Sequence, residues 1–400
     1  MRDGFMSILA FPVATHTLRS LPVEMFPRPP KKDIDWANLS LSLNGNASLN
    51  GHVEVRHSLS TNKWSTPRIV ADENIAVSGL SPGLNYGQQC YEGLKAFRSA
   101  RPQGETITVF RPNFHAARMA RSAEAVCLPA PSQELFLECL NKVIIANDEW
   151  VPPSNTESFL YIRPVLFGSS SNLALCPPEE TIFAIFVFPT SPYHGAEAAK
   201  ALVLEDFDRA APKGMGAYKV GGNYAPVWRH AAKAKAQGYG LTLHLDSASQ
   251  TYVEEFSTSG FVGHKKGQTG QDVMIIPDTE NAIASATCDS LMSLARLKGW
   301  KIERIPVPFS SIRDLDEVVA VGTAAAAVPV ESITRNSSGE TVVFADGEKR
   351  LLHLAAIVAD IQRGHVADTE GWCYDVVTPL GCAKRLLGEK VPLVLISTEA

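Results

Sequence analysis

The stretch Met215-Gly-Ala-Tyr-Lys219-Val-Gly-Gly-Asn-Tyr-Ala-Pro226 sets one lysine among three glycines, just ahead of a predicted helix. Gly216, Gly221 and Gly222 permit positive φ and close approach of the backbone to a ligand. Asn223 is a good N-cap residue and Pro226 suits the first turn after it, so a helix is expected from about 224 to 237. A lysine amine held there becomes a nucleophile once burial or a neighbouring cation lowers its pKa, which is what a Schiff base with an aldehyde cofactor requires. On spacing alone the same residues also describe a flexible glycine-rich loop with an ordinary lysine.

Outward from the lysine, the second half of the chain alternates apolar strand-like runs with helical spacing. Strands are expected at 201–204, Leu241–Leu245, Tyr252–Phe256 and 341–344, and a helix from about 287 to 298, stopped by Gly299. In the first half, 107–110, 159–167 and 181–188 read as buried strands. Asn113 is placed to cap a helix reaching Val126, with Arg118 and Arg121 on one side of it. Ser132 opens a second helix whose stripe of Leu135, Phe136, Cys139, Leu140, Val143 and Ile144 is core. Residues 1–50 are Pro-rich, then rich in Ser, Asn and Gly, and read as an arm. The pattern predicts an α+β fold of two domains: a smaller α/β domain over 51–190, a linker at 191–200, and a larger domain over 201–400.

Composition narrows the function. At 400 residues, 45% apolar and 20% charged, the chain can bury cores of ordinary size, and length favours more than one domain. A net charge of -5 leaves no basic footprint, so no nucleic acid partner is expected. No run of 18 apolar residues offers a membrane span. The seven cysteines are scattered without CxxC spacing and read as reduced thiols, with neither disulfides nor zinc. The cytosol is the expected compartment. Arg2 and Arg19 among hydroxyl residues leave a mitochondrial presequence as the alternative, against which stand Asp3 and Glu24.

The lysine segment resembles that of branched-chain amino acid aminotransferases, class IV (fold type IV) pyridoxal phosphate enzymes. Matching blocks recur in the family's order over roughly 50–360: Tyr86-Gly-Gln-Gln-Cys-Tyr-Glu-Gly-Leu-Lys-Ala-Phe97, Phe110-Arg-Pro with Ala117-Arg-Met-Ala-Arg-Ser122, Tyr161-Ile-Arg163-Pro, Val253-Glu-Glu-Phe-Ser-Thr258 and Gly322-Thr-Ala324. The resemblance implies roles residue by residue. Lys219 would carry pyridoxal 5'-phosphate and move the substrate proton, Glu255 would pair with the pyridine nitrogen, and Tyr224 would contact the ring oxygen. Glu254, its neighbour on an alternating strand, reads as a solvated carboxylate on the opposite face. Thr258 falls in the same cofactor block. The phosphate would fall to the fork of Arg118, to the amides of Ala286 and Thr287 at a helix N-terminus, and to Thr323. Ser285 and Ala286 depart there from the family's Gly-Val-Thr. The run from Ala324 to Ala327 can alternatively be read as helix.

By the same resemblance the amides of Thr323 and Ala324 would hold the substrate carboxylate. Tyr86, Tyr91, Tyr161 and Tyr193 would wall the side-chain pocket, with Arg163 accepting the second carboxylate of glutamate. The implied activity is reversible amino transfer from leucine, isoleucine or valine to 2-oxoglutarate by a homodimer whose pocket the partner subunit completes. Ala325 and Val328 stand where animal mitochondrial members carry a redox CxxC, so no such thiol switch is expected. Other readings on the same fold are a specialised biosynthetic transaminase, a D-amino acid transaminase and an aminodeoxychorismate lyase. A non-catalytic scaffold is a reading from another class, and it would have no reason to retain Lys219, Tyr224, Glu255 and Arg118 together.

Overall fold

The computed structural model describes residues 26–37, 39, 49–101, 104–192, 198–323, 326–344 and 348–378. Most of the expected arm, Tyr193, Ala324 and the last residues of the chain lie outside them.

One sheet is antiparallel throughout. It contains β1 His52–Ser58, β2 Lys63–Trp64, β3 Arg68–Val70, β4 Gln89–Tyr91, β5 Leu94–Arg101, β6 Gly104–Phe110, β7 Phe159–Gly168, β8 Glu180–Thr190 and, from the far end of the chain, β19 Cys373–Asp375. Their order is β19-β6-β5-β7-β8-β1-β2, with β3 on β1 and β4 on β7. The expected boundary at 201 gave β19 to the second domain, whereas it pairs with β6 through Tyr374 opposite Val109. Three residues are too short a run to announce that return in sequence.

The other sheet is mixed. It contains β9 Ala199–Val203, β10 Leu241–Leu245, β11 Tyr252–Phe256, β12 Ser259–Lys266, β13 Asp272–Pro277, β14 Lys301–Ile305, β15 Val307–Pro308, β16 Glu317–Gly322, β17 Ala326–Arg335 and β18 Glu340–Val343. The path runs β14-β13-β12-β16-β17-β9-β10-β11-β15, and β11 also pairs with β12. The circuit β12-β16-β17-β9-β10-β11 therefore closes on itself, which removes free strand edges from these six strands. Val203, Leu243, Phe256, Phe261 and Val330 pack together in one apolar cluster of this sheet.

Helices α1 Pro82–Asn85, α2 Pro112–Ala125, α3 Gln133–Ala146, α4 Trp228–Ala236, α5 Ala286–Leu297 and α6 Arg350–Arg363 complete the α+β fold. Ser132 caps α3 as expected, accepting from the Leu135 amide at 3.2 Å, and its stripe enters the first core. The start of α2 differs from expectation. Pro112 is its first residue, because Arg111 in the left-handed region (φ 51°) turns the chain before Asn113. Arg118 on this helix is buried and Arg121 is exposed, since three residues along a helix is not a full turn. Residues Ala326 and Ala327 are strand, not helix, in register with Gly322 and Val321 of β16. Helix α6 and strands β12, β13 and β16 carry no flanking signal strong enough to have been anticipated. No helix among the described residues is long and apolar enough to cross a membrane.

Candidate active site

The lysine segment is stitched to the antiparallel sheet. The Lys219 amide donates to Ser122 Oγ on α2 at 2.9 Å, its carbonyl accepts from the Tyr91 amide at 3.1 Å, and Val220 bridges Cys90. None of Gly216, Gly221 and Gly222 has positive φ, so the expected left-handed turns are absent. Close approach is what two of them provide. A Cβ on Gly221 would lie 1.9 Å from Gln89 Nε2 and one on Gly216 2.6 Å from the Asn281 carbonyl. Asn223 does not cap a helix either. Its side-chain amide donates to the carbonyls of Met215 (2.6 Å) and Tyr218 (2.9 Å) and closes the loop on itself. Two single 3-10 turns, Gly221–Asn223 and Ala225–Val227, lead into α4, which begins only at Trp228.

Lys219 Nζ donates to the Tyr224 hydroxyl at 3.0 Å and lies 4.8 Å from the centre of the Tyr91 ring. The guanidinium of Arg163 is the same distance from that ring, so Tyr91 has two cations against it. Arg163 also donates to the Tyr161 hydroxyl at 3.0 Å, and its buried Nε has no acceptor among the described residues. Burial raises the Tyr91 hydroxyl pKa, and so does neighbouring Tyr224. The five groups thus bring together one ammonium, one guanidinium and aromatic walls.

Glu255 on β11 is buried and ion-pairs with Arg209 at 2.6 Å, while the Ile283 amide reaches its two oxygens at 3.3 and 3.4 Å. Burial raises its carboxyl to about 7 although Arg209 pulls the other way. Burial thus outweighs the one guanidinium that faces the carboxylate. Glu254 is not solvated as expected. It is 4% exposed and accepts from Asn281 Nδ2 at 2.5 Å. A strand inside a closed sheet with a covered outer face buries both alternating positions, and this corrects the one-face-to-water reading.

The fork of Arg118 is occupied. Its Nε and Nη2 each donate to Glu92 at 2.6 Å, and Nη1 donates to the Ala284 carbonyl at 2.6 Å. Bidentate contact with an external phosphate is therefore not available to that edge. His115 sits 2.7 Å from the same carboxylate. Burial alone would raise the Glu92 carboxyl, but Arg118 and His115 outweigh it and hold it well below the usual range. The Ala284 contact puts the guanidinium beside the N-terminus of α5, where Ser285 Oγ caps the Cys288 amide. The amides of Ala286 and Thr287 meet no acceptor among the described residues, and Thr287 and Thr323 line one small cavity.

Other expected site residues stand apart. Tyr86 is 49% exposed, with its hydroxyl donating to the Leu173 carbonyl at 2.9 Å. Thr258 is exposed in the turn between β11 and β12. Sequence reading did not single out Glu92, His115, Arg209 or Ser122. Glu92 lay within a quoted block, and a carboxylate beside a buried strand asks for a cation. Arg209 sits in the polar run Glu205-Asp-Phe-Asp-Arg209, which carries no such signal.

The family model for class IV amino-transferases matches residues 89–333, more than half the chain. This chain belongs to the class IV aminotransferases. Aminotransferase poxL of Penicillium oxalicum is 44% identical over 362 residues, covering 90% of this chain and 97% of the relative. The branched-chain amino acid aminotransferase gloG of Glarea lozoyensis is 43% identical over 364 residues, covering 89% and 99%. Among solved structures, the branched-chain amino acid aminotransferase of Escherichia coli is similar with a TM-score of 0.66 and 27% identity, covering 78% of this chain and 97% of that one.

Class IV aminotransferases depend on pyridoxal phosphate, and the donor set of this aminotransferase fits that cofactor. A basic ring nitrogen meets a buried carboxylate in Glu255. A phosphate meets two free amides at a helix N-terminus, and an aldehyde meets a lysine already held by a phenol. Among the described residues no cluster of His, Cys, Asp and Glu is arranged for a metal ion.

Proposed function

We propose that this aminotransferase moves the amino group of leucine, isoleucine or valine to 2-oxoglutarate in two reversible half-reactions. The observation that carries this reading is Arg163, a half-buried guanidinium on aromatic walls with no carboxylate partner among the described residues. Aromatic faces accept a branched aliphatic side chain, and the unmatched guanidinium accepts the second carboxylate of glutamate. The name of the Glarea lozoyensis relative supports the same substrates.

Pyridoxal phosphate, when bound, supplies the electron sink that stabilises negative charge at the substrate α-carbon. Lys219 would be the attachment point, and its Nζ, once freed by the substrate amine, would take the proton from the substrate α-carbon and deliver it to the cofactor C4' carbon, two bonds away. Tyr224 holds that amine by its hydroxyl and keeps it oriented. Glu255 accepts the ring N–H, and Arg209 favours its ionised form. Arg118, oriented by Glu92 and His115, adds positive charge beside the α5 amides of Ala286 and Thr287 that hold the phosphate, with Thr323 at the other side. The amides of Thr323 and Ala324 orient the substrate carboxylate.

The smaller domain at 51–190 and the larger at 201–400 enclose the site, and a second copy completes it. Exposed Leu80, Leu84, Tyr86, Leu173 and Leu175 support that last assignment, because so many apolar side chains in two joined segments mark a contact surface. Tyr86 then serves the partner subunit's pocket.

The test is the visible spectrum of the purified protein before and after L-leucine, with Lys219→Ala alongside. Conversion of the cofactor band by leucine in the wild type and not in the variant supports the reading. A cofactor band untouched by leucine, isoleucine, valine and glutamate overturns the substrate assignment.

A further inference from the structure

Glu254 is a buried carboxylate that the proposed reaction does not use. It is 4% exposed, and neutral groups donate to it: Asn281 Nδ2 at 2.5 Å and Thr279 Oγ1 at 3.3 Å, both to the same oxygen. Burial raises its carboxyl, with Asn281, Thr279 and then Arg209 pulling the other way. A charge buried on neutral partners is costly, and such local conflicts concentrate at functional sites.

Asn281 lies in the connection 278–285, which has no regular structure and runs from β13 to α5. The Thr279 hydroxyl accepts from the Asn281 amide at 3.1 Å, which folds the connection onto the Glu254 carboxylate. The Asn281 carbonyl accepts from Arg209 Nη1 at 3.5 Å and presses on the lysine segment at Gly216, where a Cβ would stand 2.6 Å from it. Two residues on, the Ile283 amide reaches both oxygens of Glu255. Arg209 joins Glu255 at 2.6 Å to the Gly216 carbonyl at 3.0 Å. Of the two groups that orient Glu255, one therefore belongs to this connection and the other is touched by it.

The far end of the connection has anchors of its own. Arg118 Nη1 donates to the Ala284 carbonyl at 2.6 Å, Ser285 Oγ caps the Cys288 amide, and Arg111 pairs with Asp289 at 2.5 Å. Release of Asn281 thus loosens the end beside Glu255 and leaves the N-terminus of α5 in place.

We propose that Glu254 is a positioning residue for Glu255, acting through Asn281 to hold residues 279–283 against Arg209 and the lysine segment. The inference rests on the reading of Glu255 as the partner of the ring nitrogen. Adjacent residues of a strand face opposite ways, so Glu254 acts from behind β11 and touches neither cofactor nor substrate. Its influence falls on the ring nitrogen and spares the phosphate.

The experiment uses the full chain, purified as holoenzyme, stripped of cofactor and reloaded, as wild type, Glu254→Ala, Glu254→Gln and Glu255→Gln. Equilibrium dialysis at one pH measures binding of three ligands: pyridoxal phosphate, its deaza analogue with C–H in place of the ring nitrogen, and inorganic phosphate. Glu254→Ala is expected to weaken pyridoxal phosphate about ten-fold, with the analogue and inorganic phosphate within about two-fold. Glu254→Gln, whose amide oxygen still accepts from Asn281, recovers most of that loss. A general loosening of the fold weakens all three ligands alike, and that result overturns the proposal. So does unchanged pyridoxal phosphate binding in Glu254→Ala. Glu254→Gln as weak as Glu254→Ala overturns it too, since the charge and not the bond to Asn281 then matters.

Glu255→Gln separates this inference from the reading beneath it. Selective loss of pyridoxal phosphate in Glu255→Gln but not in Glu254→Ala overturns the role of Glu254 alone, whereas no selective loss in either overturns both. If Glu254→Ala does not fold, Asn281→Ala removes the same bond from the other side and is judged by the same outcomes.

Discussion

Arg118 and Glu92 form a two-point pair inside the protein, with both bonds at 2.6 Å and the carboxylate fully enclosed. The pair sets the guanidinium at the head of α5, and it also makes the arginine a costly residue to leave alone. Glu92→Gln keeps the shape and removes the charge that Arg118 and His115 face. Breaking one half of a buried pair costs about 3–5 kcal/mol. A large fall in denaturation midpoint, together with weaker cofactor retention, is expected. A midpoint within experimental error of wild type would sink this account of Arg118.

Glu255 gives a pH dependence of known sign. Its folded pKa, about 7 by burial against Arg209, lies above that of an unfolded glutamate, so the folded state holds the extra proton between about 4.3 and 7. This group makes the cofactor-free protein less stable as pH rises through that window, by about 4 kcal/mol in total. Glu255→Gln removes that slope. Urea denaturation of both proteins at pH 5 and pH 7 checks it, and equal slopes would refute the assignment.

Gly93 has no room for a side chain, since a Cβ there would lie 2.2 Å from the Tyr161 hydroxyl. Gly93→Ala is expected to destabilise by about 1–3 kcal/mol and to raise KM for amino donors by displacing Tyr161. Adding Tyr161→Phe removes the clashing oxygen and leaves the ring carbon at 3.0 Å, so the double variant should recover part of the loss. Strictly additive losses in a double-mutant cycle would show that the two residues do not collide.

Arg163→Met separates the two kinds of substrate. The guanidinium pairs with no carboxylate among the described residues, and its removal costs a dicarboxylate its partner while leaving apolar walls for leucine. The half-reaction with 2-oxoglutarate is expected to slow about 10- to 100-fold in kcat/KM, and the half-reaction with leucine by less than about three-fold. Single-turnover spectra with each substrate report the two separately. Equal losses on both would end the claim that Arg163 reads the second carboxylate.

Much of this site was legible before any coordinates. Lys219, Tyr224 and Glu255 belong to short segments whose residue types carry their chemistry, and the structure gathers Lys219 with Tyr224 and buries Glu255. The strands expected at 159–167 and 181–188 and the Ser132 cap were equally plain, because periodicity and capping are local signals. Glu92 and Arg209 were not singled out. Their partners Arg118 and Glu255 lie 26 and 46 residues away, and a charge pair at such separation has no local pattern.

The sequence by itself determined the two-sided alternation of strands, the helix that Ser132 opens, and a lysine segment fit for an aldehyde cofactor. These follow from side-chain period, capping oxygen atoms and the chemistry of an amine, all properties of a few neighbouring residues. Only the tertiary structure decided that β11 closes a ring of strands and so buries Glu254 along with Glu255. It alone turned the Arg118 fork toward Glu92 and brought β19 back to the first sheet. Burial and pairing depend on which distant segments become neighbours, and electrostatic energies inside a protein change several-fold with that surrounding.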